Sequence, residues 1–208
     1  MKSFFRSFSE SARSLTQLRT LTTTGLLLAL GIVLRYVAID VTADLRISFA
    51  FIATAAIGML YGPVVCGASA VILDFLGYII TNKSPRFYSP QLALVILLSG
   101  IVYGCLLYKC DFKNDRIKSF VKIIAANLII AVVCNILLNT YFLYTLYVNK
   151  NFSFLSASAL KGFGAYMLPR AVKNVIEFPI RVVILGLVLP AIKLAYDKVR
   201  GQYGKAVQ

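Results

Sequence analysis

Residues 164–187, GAYMLPRAVKNVIEFPIRVVILGL, have the length and apolar content of a membrane-crossing helix, yet they carry Arg170, Lys173, Asn174, Glu177 and Arg181. At about 100° per residue these five positions follow the i, i+3, i+4, i+7, i+11 pattern and share one face. Charge in hydrocarbon costs several kcal/mol unless it is paired or faces a polar cavity, so the stripe predicts a helix that turns this face into a bundle of other helices. Glu177 and Arg181 are spaced as an intrahelical ion pair, which gives them a structural reading. Arg170 and Lys173 are expected to lack any such partner on their own helix. They lie beside Pro169 at the expected start of the helix, where unsatisfied N–H groups also attract anions, so they form a candidate carboxylate seat.

The rest of the chain supports a bilayer as solvent. Its 208 residues are 59% hydrophobic and only 14% charged, with a mean hydropathy of +0.80, far from an ordinary soluble domain. The first apolar run begins only near residue 20 and has no small-residue cleavage site, so a retained helix is expected rather than a signal peptide. Cys66, Cys105, Cys110 and Cys134 form no Cys-x-x-Cys pair, and they read as small hydrophobes rather than as disulfide or metal ligands. Histidine is absent, which removes most zinc, haem and Ser/His/Asp chemistry.

Hydropathy predicts an all-α integral membrane protein, a single membrane domain over 1–208 built as a six-transmembrane-helix bundle. The spans are about 20–39, 47–62, 64–80, 92–108, 120–148 and 168–195. The second is short and only Pro63 separates it from the third, which reads as a tight hairpin. The fifth is overlong. Basic residues cluster in the N-terminal tail (Lys2, Arg6, Arg13, Arg19), after the fourth span (Lys109, Lys113, Arg116, Lys118) and in the C-terminal tail (Lys193, Lys198, Arg200, Lys205). With six spans all three fall on one side, so both termini are expected to be cytoplasmic. Topology then accounts for most of the net charge of +14, and no nucleic-acid partner is implied.

Further polar residues are expected at the depth of the stripe. Asp74 lies roughly 9 Å below the outer end of the third span. It either neutralises Lys173 or Arg46 or accepts hydrogen bonds from a ligand's amino group. Arg46 opens the second span after DVTADL, as a ligand contact or as an interfacial arginine. Asn135 and Asn139 share a face of the fifth span, bridging helices or reaching a ligand, with Thr140 and Tyr141 next to them. Arg35 is expected to pair with Asp40 as a structural element. Phe49, Phe51, Phe87, Tyr88, Tyr141, Phe142 and Phe178 supply aromatic surface nearby. Cations, one carboxylate and rings together suit a small flat organic anion. There is no phosphate-binding G-x-x-x-x-G-K-[ST] loop and no G-x-S-x-G elbow in the sequence, so energy for uptake has to come from a partner or an ion gradient.

DLRISFAFIATAAIGMLYGPVVCGASAVILDFLGYII, then GIVYG, NILLNTYFL, and LPRAVKN with FPI, resemble the folate-specific substrate-binding (S) component of energy-coupling factor (ECF) vitamin transporters. The likeness covers about 170 residues, all but the tails. It implies a non-enzymatic, cofactor-free and metal-free subunit of an ECF-type ABC importer in the bacterial plasma membrane. Such a subunit captures folate at the outer face and works with a transmembrane coupling (T) subunit and two cytoplasmic ATPases. On that reading Asp74 or an asparagine (Asn135, Asn139, Asn174) takes the pterin, while Arg46, Arg170 or Lys173 takes the anionic tail or a ring carbonyl, with Tyr141 among the nearby aromatics. Gly25 and Ala29, a small-xxx-small pair, become the contact with the T subunit, internal packing being the alternative. The stretches 81–91 and 149–164 are expected outside, as lids or as surface. Open alternatives are another vitamin, an autonomous secondary transporter, or a lipid-modifying membrane enzyme.

Overall fold

The computed structural model describes the backbone of residues 2–42, 45–81, 88–112, 115–148 and 157–206, and side chains within 6–38, 48–80, 88–112, 115–148 and 161–199. Helix α1 (Lys2–Ser14) precedes α2 (Leu18–Tyr36) and a hairpin of β1 (Ile39–Thr42) and β2 (Leu45–Ile47); then come α3 (Phe51–Tyr61), α4 (Pro63–Thr81) and α5 (Pro90–Leu107). The fifth apolar segment is divided into α6 (Arg116–Ile129), a π-helical segment (Ile130–Asn139) and α7 (Thr140–Tyr147), and the sixth belongs to α8 (Ala157–Ala206).

Among the described residues five helical stretches are long and apolar enough to cross a membrane: Leu18–Tyr36, Pro63–Ile80, Pro90–Leu107, Arg116–Tyr147 and Lys161–Val199. The predicted second span is different. Its first residue, Ile47, belongs to the antiparallel hairpin, which pairs Asp40 with Arg46 and Ile39 with Ile47, and the helix α3 starts only at Phe51 and has 11 residues. At 1.5 Å per residue that is about 16 Å, half of a hydrocarbon core. Helix α3 is instead the centre of the bundle, packed against α2, α4, α5 and α8. Ala53, Ala55, Ala56 and Ile57 are fully buried, the pattern of a helix that is apolar on every side.

The α3–α4 turn is made by Gly62, whose φ of +86° suits glycine, and by Pro63 as the first residue of α4. Gly104 of α5 lies against the backbone of Pro63, where a Cβ has no room, and this close approach locks α5 onto the turn. Helix α1 was not foreseen; the residues expected as a basic tail form an amphipathic helix. Its fully buried Ser11 donates from Oγ to the Tyr61 carbonyl at 2.7 Å and accepts the Val64 and Val65 N–H groups at 3.1 and 3.2 Å. One hydroxyl thus caps the end of α3 and the start of α4. Glu10 on the same helix pairs with Lys109 at 2.6 Å. That hydrogen bond is the main cause holding the Glu10 carboxyl below its ordinary pKa and the Lys109 ammonium above its own.

Leu26, Val33, Ile79, Leu94, Leu128, Val175 and Leu187 are exposed around the perimeter, an exterior that lipid rather than water solvates. Inside, Ile57, Cys66, Tyr103, Leu107, Ile123, Leu185 and Leu189 form one apolar core. The four cysteines are free thiols, and no His/Cys/Asp/Glu group able to hold a metal occurs among the described residues.

Candidate functional site

Two cavities adjoin at the π-helical segment, whose Asn135 and Asn139 line both. The first, about 300 Å³, is lined by Arg35 of α2, Asp74 and Tyr78 of α4, Tyr88 and Ser89 before α5, and Leu92, Val95, Ile96 and Ser99 of α5. Asn135 and Asn139 of the π segment complete it with Leu143 and Tyr147 of α7. Arg35 Nη1 donates to Asp74 Oδ1 at 3.3 Å, so the charges of this chamber cancel. Tyr88 meets the rings of Phe75 and Tyr78 edge-on, with centroids 5.4 and 5.3 Å away. The Ser89 hydroxyl and the Tyr147 hydroxyl are 3.0 Å apart. The chamber therefore presents one paired carboxylate, several hydroxyls and amides, and aromatic and aliphatic walls, the composition of a site for a flat polar ring.

The second cavity, about 240 Å³, is lined by Ser48, Asn135, Asn139, Arg170, Lys173, Asn174, Glu177 and Arg181. None of these side chains is apolar, which in a membrane bundle marks a place for something charged. Glu177, only 4% exposed, accepts from Arg181 Nη2 at 2.6 Å through one oxygen and faces Lys173 Nζ at 3.5 Å through the other. Arg181 also lies over the Phe51 ring at 5.3 Å. Arg170 stacks on Tyr166 at 4.7 Å and donates to its hydroxyl at 3.0 Å. Among the described residues, three cations against one carboxylate leave this lining with an excess of two positive charges.

Asn135 and Asn139 belong to both linings and form the shared wall. Asn135 Nδ2 donates to Asn174 Oδ1 at 3.0 Å, and Asn174 Nδ2 donates to the Arg170 carbonyl at 2.8 Å. The Asn135 carbonyl oxygen of the side chain is thereby turned away from Asn174 and kept as an acceptor. Its backbone carbonyl takes the Thr140 hydroxyl at 3.2 Å, a contact across five residues that fits the π winding.

Of the residues expected from the sequence, Asp74, Asn135, Asn139, Arg170, Lys173 and Asn174 all line the cavities. Four details differ. Asp74 pairs with Arg35 rather than with Lys173, because α2 and α4 pack side by side; Arg35 is thus a cavity residue, and the side chain of Asp40, its expected partner, lies outside the described residues. Lys173 does have a partner on its own helix, Glu177, since a carboxylate accepts at both oxygens. Arg46 stands in strand β2, not at a helix start, and its side chain lies outside the described residues. Tyr141 lines neither cavity and packs on Phe142 instead.

Tyr78, Tyr147, Ser89, Ser99 and Ser48 are lining residues that the sequence reading did not select. Only Tyr78 carried a signal, one turn beyond Asp74 on the same helix face. Residues 82–87 and 149–156 of the proposed lids lie outside the described residues, while 157–164 belong to α8. A Cβ placed on Gly25 meets nothing within 4 Å, and Ala29 is exposed, so this pair does not serve internal packing.

Residues 19–189 match the family model for the ECF transporter, substrate-specific component. The chain is 32% identical over 158 residues to the folate transporter FolT of Leuconostoc mesenteroides subsp. mesenteroides, covering 76% of this chain and 77% of that one. It is 30% identical over 151 residues to the folate transporter FolT of Clostridium novyi, covering 73% and 76%. A crystal structure of FolT bound with folic acid superposes with a TM-score of 0.64 at 29% identity, covering 84% of this chain and 94% of that one. A membrane helix bundle with a polar interior and a match of this extent have one reading: the chain is a transporter component rather than an enzyme, and it belongs to the family of substrate-specific components of ECF transporters.

Proposed function

We propose that this chain is the folate-binding component of an ECF-type importer, holding the pterin in the first cavity and the glutamyl tail in the second. The observation that carries this reading is the electrical difference between two cavities that share lining residues. A charge-balanced chamber with a carboxylate adjoins a wholly polar chamber with two excess positive charges, and both share the wall of Asn135 and Asn139. Folate is divided in the same way: a neutral ring system with an amino-pyrimidinone edge at one end, two carboxylates at the other. Its relatives named as folate transporters and the folic-acid-bound homologue support the same ligand.

On this reading Asp74 accepts from the amino-pyrimidinone edge while Arg35 holds the carboxylate in place. Tyr78 and Tyr88 pack against the ring system, and Asn135 and Asn139 border the linker between pterin and tail. Lys173, Arg181 and Arg170 receive the tail carboxylates. The chain lies in the cell membrane as six helical segments, the short second one, α3, being enclosed by the other helices rather than by lipid, with both termini cytoplasmic and the cavities open to the outside. The exposed pair Gly25 and Ala29 provides the close-approach surface for the T subunit, and two cytoplasmic ATPases drive release inward.

Isothermal titration of folic acid into the detergent-purified chain tests this directly, with riboflavin, thiamine and biotin as controls. Tight binding of folic acid alone is expected. Equal binding of a control vitamin, or none of folic acid by folded ligand-free protein, overturns the reading.

A further inference from the structure

Among the described residues Glu177 is the one acid in a chamber of cations, and it is more deeply buried than any of them. Its side chain is 5% exposed, against 29% for Lys173 and 23% for Arg181. A carboxylate needed only to hold Arg181 would not require a second cation at its other oxygen. The effect of the pair of contacts is electrical. Glu177 lowers the excess of the lining from three positive charges to two while leaving Arg170, turned onto Tyr166, outside its reach.

In a chamber walled by a membrane bundle an unbalanced charge is costly on either side of neutrality. Affinity is therefore greatest for a ligand whose carboxylates equal the excess of the lining. Resting on the folate reading above, we infer that Glu177 is a specificity-determining residue: it sets the chamber for a pteroyl ligand with two carboxylates. That is the monoglutamyl form, favoured over pteroate, which has one, and over γ-linked diglutamate, which has three. Glu177 acts through the charge of the lining and contributes no attraction to the tail itself.

The test is calorimetric titration of pteroic acid, folic acid and pteroyl-γ-diglutamate into the full chain and three variants. The unmodified chain should bind folic acid best. Glu177→Gln should raise the diglutamate-to-monoglutamate affinity ratio about tenfold, the change expected for roughly one unit of pairing in a poorly screened site. Glu177→Asp, which keeps the charge, should leave the order unchanged. Ser48→Asp adds a negative charge to the same lining without touching the ion triad. An aspartate there still accepts the Ala50 N–H that Ser48 Oγ accepts at 3.4 Å, so this variant remains informative if Glu177→Gln fails to fold. It should shift preference the other way, raising the pteroate-to-folate ratio about tenfold.

A merely structural role lowers the affinity for all three ligands together and leaves the ratios in place. Ratios that stay put in both charge-changing variants, with folic acid still bound by the parent chain, overturn the inference alone. Failure of the parent chain to bind folic acid overturns the folate reading as well.

Discussion

Replacing Asp74 by asparagine removes one charge and almost no volume, so its effect on ligand binding can be worked out from the first cavity. Asp74 Oδ1 is engaged by Arg35 at 3.3 Å, which leaves Oδ2 and the remaining lone pairs to accept two N–H groups of an amino-pyrimidinone edge. Hydrogen bonds to a charged acceptor contribute about 1.5–3 kcal/mol each, against about 0.5–1.5 for neutral ones, and an asparagine presents only one acceptor. The expected loss is therefore about 2–4 kcal/mol, or roughly 30- to 1000-fold in the dissociation constant. The cost to the fold is smaller. Both partners of the Arg35–Asp74 bridge are partly exposed, at 29% and 21%, and such a pair contributes at most about 1 kcal/mol. The assay is titration of folic acid and of p-aminobenzoyl-glutamate, a fragment without the pterin, into both proteins. Folic acid should weaken by the stated factor while the fragment changes by no more than about threefold. An equal loss for the fragment, or unchanged folic acid binding in a folded variant, refutes the placement of the pterin against Asp74.

Three further outcomes follow from the packing. Ser11→Ala leaves the part-buried Val64 and the buried Val65 N–H groups without their acceptor, so thermal unfolding in detergent should reveal a loss of about 1–3 kcal/mol with folic acid affinity unchanged. Gly104→Ala forces a methyl against Pro63 and should cost about 1–3 kcal/mol by overpacking, read in the same assay. The Glu10–Lys109 bridge joins a lowered carboxyl to a raised ammonium. Its contribution is present above the unfolded carboxyl pKa and is lost as pH falls through the lowered folded value. At the alkaline end it is present below the unfolded ammonium pKa and is lost as pH rises through the raised one. The melting-temperature difference between the parent and Glu10→Gln should thus be constant near neutrality and vanish at both extremes. A difference that persists in acid contradicts the bridge.

Much of this site was legible because charge in an apolar helix has few places to go. The stripe of Arg170, Lys173, Asn174, Glu177 and Arg181 required a polar interior, and all five residues line the second cavity. Asn135 and Asn139 were legible for a similar reason, as amides on one face of a long apolar run. The partner of Asp74 was not, since Arg35 is 39 residues away and only the packing of α2 on α4 joins them. The hairpin of residues 39–47 is too short for its alternation to stand out beside the hydropathy of α3. Nor does sequence distinguish π from α winding across residues 130–139, because the apolar content is the same in both. Ser11 had no signal of its own: its role as a cap for two other helices exists only once α1 folds under the α3–α4 turn.

The central claim, one ligand divided between two electrically different chambers, is tested most directly by an experimental structure of this chain with folic acid bound. The amino-pyrimidinone edge is expected within hydrogen-bond distance of Asp74, the tail carboxylates on Lys173 and Arg181, and the linker passing Asn135 and Asn139. A folic acid bound in the reverse direction, with its carboxylates beside Arg35 and Asp74, or one seated outside both cavities, would contradict it.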